Sequence, residues 1–287
     1  MIPEYLSEAS LQHFIATALS EDIPSEDHST LGSISENHVS TGQLLVKSDG
    51  VIAGMELAAK IFNHVDSGLE FFPLINDGAE VRTNDIAFKV TGSTRSILKS
   101  ERLVLNCMQR MSGIATRTRS LNKIISGTKA RLMDTRKTTP NFRAMEKWAV
   151  RIGGGLNHRF SLSDMVMLKD NHIDAAGGIG AAVKAMRSYL QSAGLTLRIE
   201  VETRNLTEVG EAVKAGVDVI MLDNMSVAMM REAVKLIAGR SKVEASGGIT
   251  EHNLREVAET GVDFISLGLL THSVKSLDLS LKLIKRT

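Results

Sequence analysis

Six short apolar runs organise the second half of the chain. Each run ends in a polar residue or a glycine, and an amphipathic helical pattern follows it; the runs are ARLMD, MVMLK, LRIEVE, DVIMLD, KVEAS and DFISLG. The last four runs end about 22 residues apart, which fits a strand, a short loop and a helix of three turns. Repeated βα units curl into a barrel or a doubly wound sheet, and six units do not complete an eight-unit barrel. The pattern therefore predicts an open α/β barrel.

The first hundred residues follow a different pattern. Apolar positions at helical spacing predict a helix over residues 4–20, and a second helix is predicted over 55–65. The segment GQLLVKSDGVIAG (42–54) places an Asp-Gly pair between two β-rich runs, which predicts a hairpin. A long helical pattern then covers residues 100–126. This mixture is typical of an α+β arrangement.

Composition excludes several classes of protein. The 287 residues carry 34 Lys and Arg against 33 Asp and Glu, for a net charge of +1, and only 4% are aromatic. A nucleic-acid partner is therefore not expected. No apolar run reaches the roughly 20 residues of a membrane span, so no membrane association is expected. The acidic start MIPEYLSEAS and the single cysteine, Cys107, predict a cytoplasmic protein.

Polar residues stand where the predicted barrel strands end. The carboxyl ends of parallel strands face one mouth of a barrel, so these side chains are expected to converge there: Asp134, Lys169, Glu202, Asp223, Ser246 and Gly268. Glu202 and Asp223 are carboxylates one βα unit apart, and such a pair suits Mg²⁺ with an anionic substrate. Either acid alone is better explained as a surface ion pair or a helix N-terminal residue.

Two glycine-containing turns predict a phosphate site. SGGI (246–249) and SLG (266–268) each follow a strand and precede a helix. Glycine lets backbone N–H groups approach an anion, and a helix N-terminus adds partial positive charge. A single Gly-Gly turn is more simply a bend, but the final two loops of barrel enzymes often bind phosphate.

Basic residues concentrate in three places. DTRKTTPNFR (134–143) and HRFSLSDMVMLKDNH (158–172) each add several cations near strand ends, which predicts an anionic substrate. Lys169 ends an apolar strand, so we expect it to be buried and paired. On the long helix, Arg102, Arg110 and Arg117 share one face; solvated positions are expected for the last two.

These motifs together resemble the quinolinate phosphoribosyltransferases. The resemblance covers nearly the whole chain, and seven motifs occur in the family's order: ERLVLNCMQRMSGIAT, DTRKTTPNFR, HRFSLSDMVMLKDNH, EVE, IMLDN, EASGGI and SLGLLTHS. It implies an α/β fold with an N-terminal α/β sandwich and a C-terminal open α/β barrel. The first domain is expected over residues 1–112, joined by the segment 274–287, and the barrel over 113–273. Asn141 stands where the family usually has Gly, and Asn tolerates the left-handed conformation needed there.

The resemblance also implies an activity and a set of site residues. The implied reaction converts quinolinate and phosphoribosyl pyrophosphate to nicotinate mononucleotide, pyrophosphate and CO₂, with Mg²⁺ held by Glu202 and Asp223. The residues implied to hold quinolinate are Arg102, Thr135, Arg136, His158, Arg159 and Lys169. Those implied to hold phosphoribosyl pyrophosphate are Lys137, Lys169, Glu202, Asp223, Ser246, Gly247, Gly248 and Gly268. Lys137, Glu202 and Asp223 are the implied catalytic residues. A homodimer is implied, in which Arg102 reaches the partner's site.

Three other functions remain open on the sequence. A related phosphoribosyltransferase with another aromatic substrate would keep the acid pair but not the arginines. A Schiff-base aldolase would use Lys169 as its nucleophile. A phosphosugar sensor without catalysis would have no need of both Glu202 and Asp223.

Overall fold

The computed structural model describes residues 2–284, and it divides into two compact units. One unit contains Met1–Arg119, Thr138–Gly154 and Leu270–Thr287, and the other contains Ser120–Lys137 and Gly155–Leu269. Within the described residues, the strands in chain order are β1 Val39–Val46, β2 Gly50–Val51, β3 Glu70–Pro73, β4 Glu80–Val81, β5 Ile86–Ser93, β6 Arg131–Met133, β7 Val166–Leu168, β8 Ile199–Thr203, β9 Val219–Asp223, β10 Lys242–Ser246, β11 Phe264–Ser266 and β12 Leu279–Ile284. The α-helices are α1 Glu8–Asp22, α2 His28–Ser33, α3 Met55–Val65, α4 Thr94–Ile124, α5 Arg143–Ile152, α6 Asp170–Ala176, α7 Ile179–Ser192, α8 Leu206–Ala215, α9 Val227–Ile237 and α10 Glu251–Ala258.

The first unit is built on a four-stranded antiparallel sheet. Its strand order is β12-β1-β5-β3, with Leu44 of β1 opposite both Leu281 of β12 and Phe88 of β5. Alternate residues of β1 are buried, as expected of a sheet with one face on the core. Helix α1 packs against α3, where Lys60 contacts Glu8 at 2.7 Å. The segment 279–284 is thus part of the N-terminal sheet.

The hairpin predicted over residues 42–54 is wrong. Strand β1 pairs with β12 and β5, whereas β2 pairs with β4. The backbone N–H groups after the Asp-Gly turn bond instead to helix α4: Val51 donates to Oγ1 of Thr116 at 2.8 Å, and Ala53 donates to Oγ of Ser112 at 2.9 Å. Because these donors are satisfied by α4, the chain leaves the first sheet at the turn.

Arg110 lies within the first unit rather than in solvent. Its guanidinium contacts Oε1 of Glu146 at 2.8 Å, and the Glu146 carboxylate is fully buried. The carbonyl oxygens of Thr271 and Val274 accept further bonds from Arg110. The solvated position expected for Arg110 is therefore wrong, because a buried carboxylate on α5 requires a partner.

The second unit is built on a six-stranded parallel sheet. Its order is β6-β11-β10-β9-β8-β7, so the strands follow one another in sequence except that β6 pairs with the last of them, β11. Among the described residues, β6 and β7 are not paired; a single bridge joins Met133 to Leu156 instead. The sheet is open at this point, which confirms the open α/β barrel.

Local sequence explains the helices of this unit. Asn205 and Ser226 cap α8 and α9, where their side chains accept the backbone N–H of Glu208 and Met229. Gly216 ends α8 in the left-handed conformation. The βα repeat read from the sequence is therefore formed by ordinary capping residues.

The contacts divide the chain differently from the predicted domains. Residues 113–119, 138–154 and 270–273, assigned by the sequence to the barrel domain, group with the first unit. Asn141, in one of these segments, has a φ of 60°, so it adopts the left-handed conformation expected at that turn. No helix in residues 2–284 is both long and apolar enough to cross a membrane.

Candidate active site

Two carboxylates meet at the carboxyl ends of β8 and β9. Glu202 lies near the end of β8, and Asp223 is the last residue of β9. Burial raises the pKa of Glu202, and the charge of Asp223 raises it further, while Lys169 opposes the shift. The ammonium of Lys169 lies 3.5 Å from Oε2 of Glu202. The acid pair predicted from the strand ends is therefore formed.

Lys169 is more exposed than expected. About half of its side chain (49%) is open to solvent, whereas the sequence predicted burial. It follows the last residue of β7 and stands at the N-cap of α6, where the chain leaves the sheet. An exposed, ion-paired ammonium differs from the desolvated lysine of Schiff-base enzymes, so the position favours a cation that holds an anion.

The SGGI turn lies beside the acid pair. Ser246 is in register with Asp223, and the carbonyl of Ser246 accepts the backbone N–H of Asn224 at 2.9 Å. Gly247 and Gly248 have φ values of 80° and 63°. A Cβ at Gly247 would collide with the Asn224 side chain, whereas Gly248 faces open space on most sides. The turn therefore presents bare backbone next to the acids, as a phosphate site requires.

Asn224 links the turn to the acids. Its Nδ2 donates to Oδ2 of Asp223 at 2.8 Å, and its own backbone is left-handed, with a φ of 52°. On the neighbouring strand, β11, Gly268 is the first residue of a short 3₁₀ helix that follows the strand. The two predicted phosphate loops are thus on adjacent strands, β10 and β11.

Arginine side chains form the cationic part of the site. Arg136 is exposed in the segment after β6, and Arg159 is half-buried in the segment before β7. Burial lowers the pKa of Arg159, and the positive charge of Arg136 lowers it further, whereas Glu200 opposes both effects. Two guanidinium groups that repel each other are well placed to share an anion. Lys137 and Thr135 belong to the same segment, where the Lys137 N–H donates to Oγ1 of Thr135 at 3.0 Å.

Asp134 positions the segment that carries Arg159. The sequence placed Asp134 at the barrel mouth, but its side chain is fully buried. It accepts the backbone N–H of His158 at 2.9 Å and the side-chain amide of Asn157 at 2.6 Å. Asp134 therefore stabilises the loop and is not exposed to a ligand.

A buried cluster of His158, Glu200 and Glu244 was not found from the sequence. Nε2 of His158 lies 3.0 Å from Oε2 of Glu200 and 3.5 Å from Oε2 of Glu244, and all three side chains are at most 5% exposed. Burial raises the pKa of Glu200 to about 7. Burial, with the Glu200 charge, raises the pKa of Glu244 to about 8. The only sequence signal was a Glu inside each of two apolar strands, in LRIEVE and KVEAS.

The second unit brings together most of the predicted site residues, which are Thr135, Arg136, Lys137, His158, Arg159, Lys169, Glu202, Asp223, Ser246, Gly247, Gly248 and Gly268. Arg102 belongs to the first unit, where it is exposed on α4. His158 is in the site region, but both ring nitrogens face protein groups, since Nδ1 accepts the Arg159 N–H at 2.7 Å. Cys107 is buried, which raises the pKa of its thiol to about 12 and agrees with a core residue.

Two family models match the chain in succession. The first is described as "Quinolinate phosphoribosyl transferase, N-terminal domain" and matches residues 22–112. The second is described as "Quinolinate phosphoribosyl transferase, C-terminal domain" and matches residues 114–282. Together the two models cover most of the chain.

Curated and solved relatives agree with these matches. The chain is 45% identical to a tobacco protein named "Quinolinate phosphoribosyltransferase [decarboxylating] 2b, mitochondrial", over 95% of this chain and 82% of that one. It is 44% identical to a Synechocystis protein named "Probable nicotinate-nucleotide pyrophosphorylase [carboxylating]", over 93% and 90%. The solved structure of NadC from Streptococcus pyogenes is 40% identical, with a TM-score of 0.92 over 98% of this chain and 99% of that one. The chain belongs to the quinolinate phosphoribosyl transferase family.

Proposed function

We propose that the protein transfers the phosphoribosyl group of phosphoribosyl pyrophosphate to the ring nitrogen of quinolinate, and that pyrophosphate and CO₂ leave to give nicotinate mononucleotide, in de novo NAD biosynthesis. The observation that carries this assignment is the pairing of two half-sites in one unit. One half-site is the acid pair beside the SGGI turn, and the other is the arginine pair, Arg136 and Arg159. The names of the relatives support the same reaction.

The acid pair suits the transfer step. When pyrophosphate leaves and the pyridine nitrogen approaches the anomeric carbon, positive charge develops on the ribose. Carboxylates fixed near that carbon stabilise this charge electrostatically, and Glu202 and Asp223 supply them. Lys137, which is exposed beside Thr135, is the cation proposed to neutralise the departing pyrophosphate. No covalent intermediate with the enzyme is needed.

Mg²⁺ fits the donor set at the acid pair. Burial and the charge of Asp223 raise the pKa of Glu202, so a cation between the two carboxylates would stabilise them. Carboxylate oxygens are also preferred Mg²⁺ ligands. Glu202 and Asp223 would hold the ion, which would supply charge neutralisation for the pyrophosphate oxygens. The proximity of Lys169 to Glu202 places a second cation against the same group.

The arginine pair suits the dicarboxylate. Arg136, Arg159 and Lys169 offer several cationic donors to two carboxylates, and Thr135 adds a hydroxyl. Once the pyridine nitrogen is quaternised, its positive charge stabilises the electron pair left at C2 when the C2–carboxylate bond breaks. CO₂ is released, and C2 then takes a proton from water. The cations must hold the substrate while this carboxylate loses its charge.

The reaction is tested with pure protein, quinolinate, phosphoribosyl pyrophosphate and Mg²⁺, and nicotinate mononucleotide and released CO₂ are measured. We expect turnover with quinolinate and a kcat/KM at least about a hundredfold lower with nicotinate, since cations arranged for two carboxylates stay partly unpaired with one. Equal kcat/KM values for the two acids would contradict a dicarboxylate site. Trapping of Lys169 by borohydride with a carbonyl substrate would favour the aldolase instead.

We further propose a cytoplasmic homodimer in which Arg102 completes the partner subunit's site. Arg102 is exposed on α4, and an exposed arginine can serve a site on another subunit in a two-fold dimer. A single, buried, reduced cysteine is compatible with the cytoplasm. Tobacco and Arabidopsis relatives are named as mitochondrial and chloroplastic, so cell fractionation against organelle markers decides the compartment.

A further inference from the structure

The floor of the candidate site is polar, although the strands that form it are apolar. Side chains two residues apart on a strand point to the same face, so Glu200 lies directly below Glu202 on β8. In the same way Glu244 lies below Ser246 on β10. Met221 lies below Asp223 on β9, in register with Glu202 of β8 and with Glu244 of β10. Two carboxyl groups therefore stand one layer beneath the residues proposed to bind substrate.

The histidine that contacts these two carboxyl groups, His158, is held in one tautomer. Nδ1 of His158 accepts the backbone N–H of Arg159 at 2.7 Å, so Nδ1 carries no proton. In a neutral ring the proton is therefore on Nε2, the nitrogen that lies 3.0 Å from Oε2 of Glu200. Each ring nitrogen thus has a protein group beside it, and neither is directed to a ligand.

The same three side chains could by spacing alone hold a metal ion, because their ligand atoms lie within 4.8 Å of one another. The histidine tautomer argues against this use. A histidine that binds a metal through one nitrogen normally donates the N–H of the other, whereas Nδ1 of His158 accepts. Binding through Nε2 as well would require an imidazolate.

We propose that Glu200 and Glu244 are positioning residues for dicarboxylate binding, which act by fixing the His158 ring and, through its Nδ1, the backbone of Arg159. The proposal rests on the proposed function for the identity of the ligand. The segment is held at a second point, since the N–H of His158 donates to buried Asp134 at 2.9 Å. At a third point, Nη1 of Arg159 donates to the carbonyl of Met165 at 3.2 Å. The backbone N–H and the guanidinium of Arg159 are thus both held before a carboxylate binds, so less conformational freedom is lost on binding, which preserves affinity.

The proposal predicts a loss confined to one substrate. Glu200→Ala should raise the quinolinate KM about tenfold or more and leave the phosphoribosyl pyrophosphate KM within about twofold. Glu200→Gln keeps the size of the side chain and a polar oxygen beside Nε2, so its quinolinate KM should stay close to that of the wild type. Glu244→Ala and Glu244→Gln should follow the same order with smaller changes, because Glu244 is farther from Nε2.

Met221→Ala is the matched control, because Met221 is buried opposite Glu244 in the sheet and its truncation removes a comparable volume. It should lower stability without a selective change in the quinolinate KM. A quinolinate-selective change in Met221→Ala, or equal KM changes for both substrates in Glu200→Ala, would overturn the positioning role.

A second readout needs no turnover. In protein labelled with ¹⁵N-histidine, the His158 resonances, assigned with a His158→Ala variant, should show a protonated Nε2 and an unprotonated Nδ1, and this pattern should be lost in Glu200→Ala. A protonated Nδ1 in the wild type would overturn the proposal. So would one equivalent of a transition metal retained by the wild type and lost in Glu200→Ala. If the wild type does not turn over quinolinate, the proposed function fails, and the tautomer measurement still decides whether Glu200 fixes the ring.

Discussion

At the scale of single residues, the second unit places charge where the apolar core would otherwise continue. Glu200 and Glu244 stand on β8 and β10 with at most 1% of each side chain exposed. Burial of an ionised carboxylate is costly unless it is paired, and the raised pKa values of both groups reflect that cost. Such groups make the stability of the protein depend on pH.

The first prediction follows from Glu244. Its pKa is about 8 in the folded protein against an ordinary value of 4.5. The stability that it contributes is therefore fully present below pH 4.5 and is lost as the pH rises through about 8. We expect the free energy of unfolding, measured with urea, to fall over this window, and Glu244→Gln to flatten part of the fall. Glu232→Gln, at an exposed site on α9, is the control. A fall of the same slope in Glu244→Gln would assign the dependence to other groups.

The second prediction concerns Gly247, whose φ is 80°. In Gly247→Ala the new Cβ meets the Asn224 side chain, which also binds Asp223. We expect a loss of about 1–2 kcal/mol in stability and a rise of about tenfold in the phosphoribosyl pyrophosphate KM. Gly210→Ala serves as the matched control: Gly210 lies inside α8 with open space around it, so alanine should stabilise the protein by about 0.5–1 kcal/mol. An unchanged KM in Gly247→Ala would exclude the SGGI turn from binding this substrate.

At the scale of elements, helix α4 organises the first unit by means of its polar side chains. Thr116 and Ser112 accept the N–H groups that follow the Asp-Gly turn, and Arg110 pairs with Glu146 on α5. Gly113 allows the backbone at Lys275 to approach the helix closely. One helix thus determines the path of three segments that are distant in sequence.

The third prediction tests the link between α4 and α5. Arg110→Met should lower stability by about 3 kcal/mol, since it leaves the fully buried Glu146 carboxylate without its cation. Thr139, which donates to Glu146 through its N–H and its hydroxyl, should limit the loss. Urea unfolding of Arg110→Met, Glu146→Gln and the double variant completes a mutant cycle. If the losses of the two single variants simply add in the double variant, the two side chains are not coupled.

Elements with a local cause were predictable from sequence, and those with remote partners were not. Helix α3 was predicted at 55–65 and occupies Met55–Val65, because its apolar residues recur every three to four positions, as in a helix. The six parallel strands and the acid pair were also predictable, since strand ends share one edge. The hairpin failed because its hydrogen-bond partners are on α4, 65 residues away. The His158 cluster was missed for a similar reason, since only the folded sheet brings Glu200 and Glu244 together.

At the scale of the whole molecule, the proposed dimer makes each site dependent on two chains. Arg102 would bind substrate in the partner subunit's site, whereas Lys169 would bind substrate in the site of its own subunit. In a mixed dimer of one Arg102 variant subunit and one Lys169 variant subunit, both substitutions would therefore lie in the same site. The other site of that dimer is then intact.

The fourth prediction is complementation between inactive variants. Arg102→Ala and Lys169→Ala should each be inactive, and after subunit exchange about a quarter of the wild-type activity should return, since half of the dimers are mixed and each has one intact site. Native mass spectrometry verifies the exchange. With exchange verified, activity no higher than that of the separate variants would show that Arg102 does not act on a partner.

The pairing of β12 with β1 has a consequence for synthesis on the ribosome. Asp278, just before β12, donates its N–H to Ser48, just after β1, across 230 residues of chain. At synthesis rates of roughly 5–20 residues per second, β12 is made tens of seconds after β1. During that time β1 is an unprotected sheet edge, open to pairing with other nascent chains. The parallel strands β6 to β11 emerge in one continuous stretch, so the second unit can fold on the ribosome before the first sheet is complete. Chaperones that cover exposed strands therefore have a defined interval in which to act, which ends when residues 279–284 leave the exit tunnel.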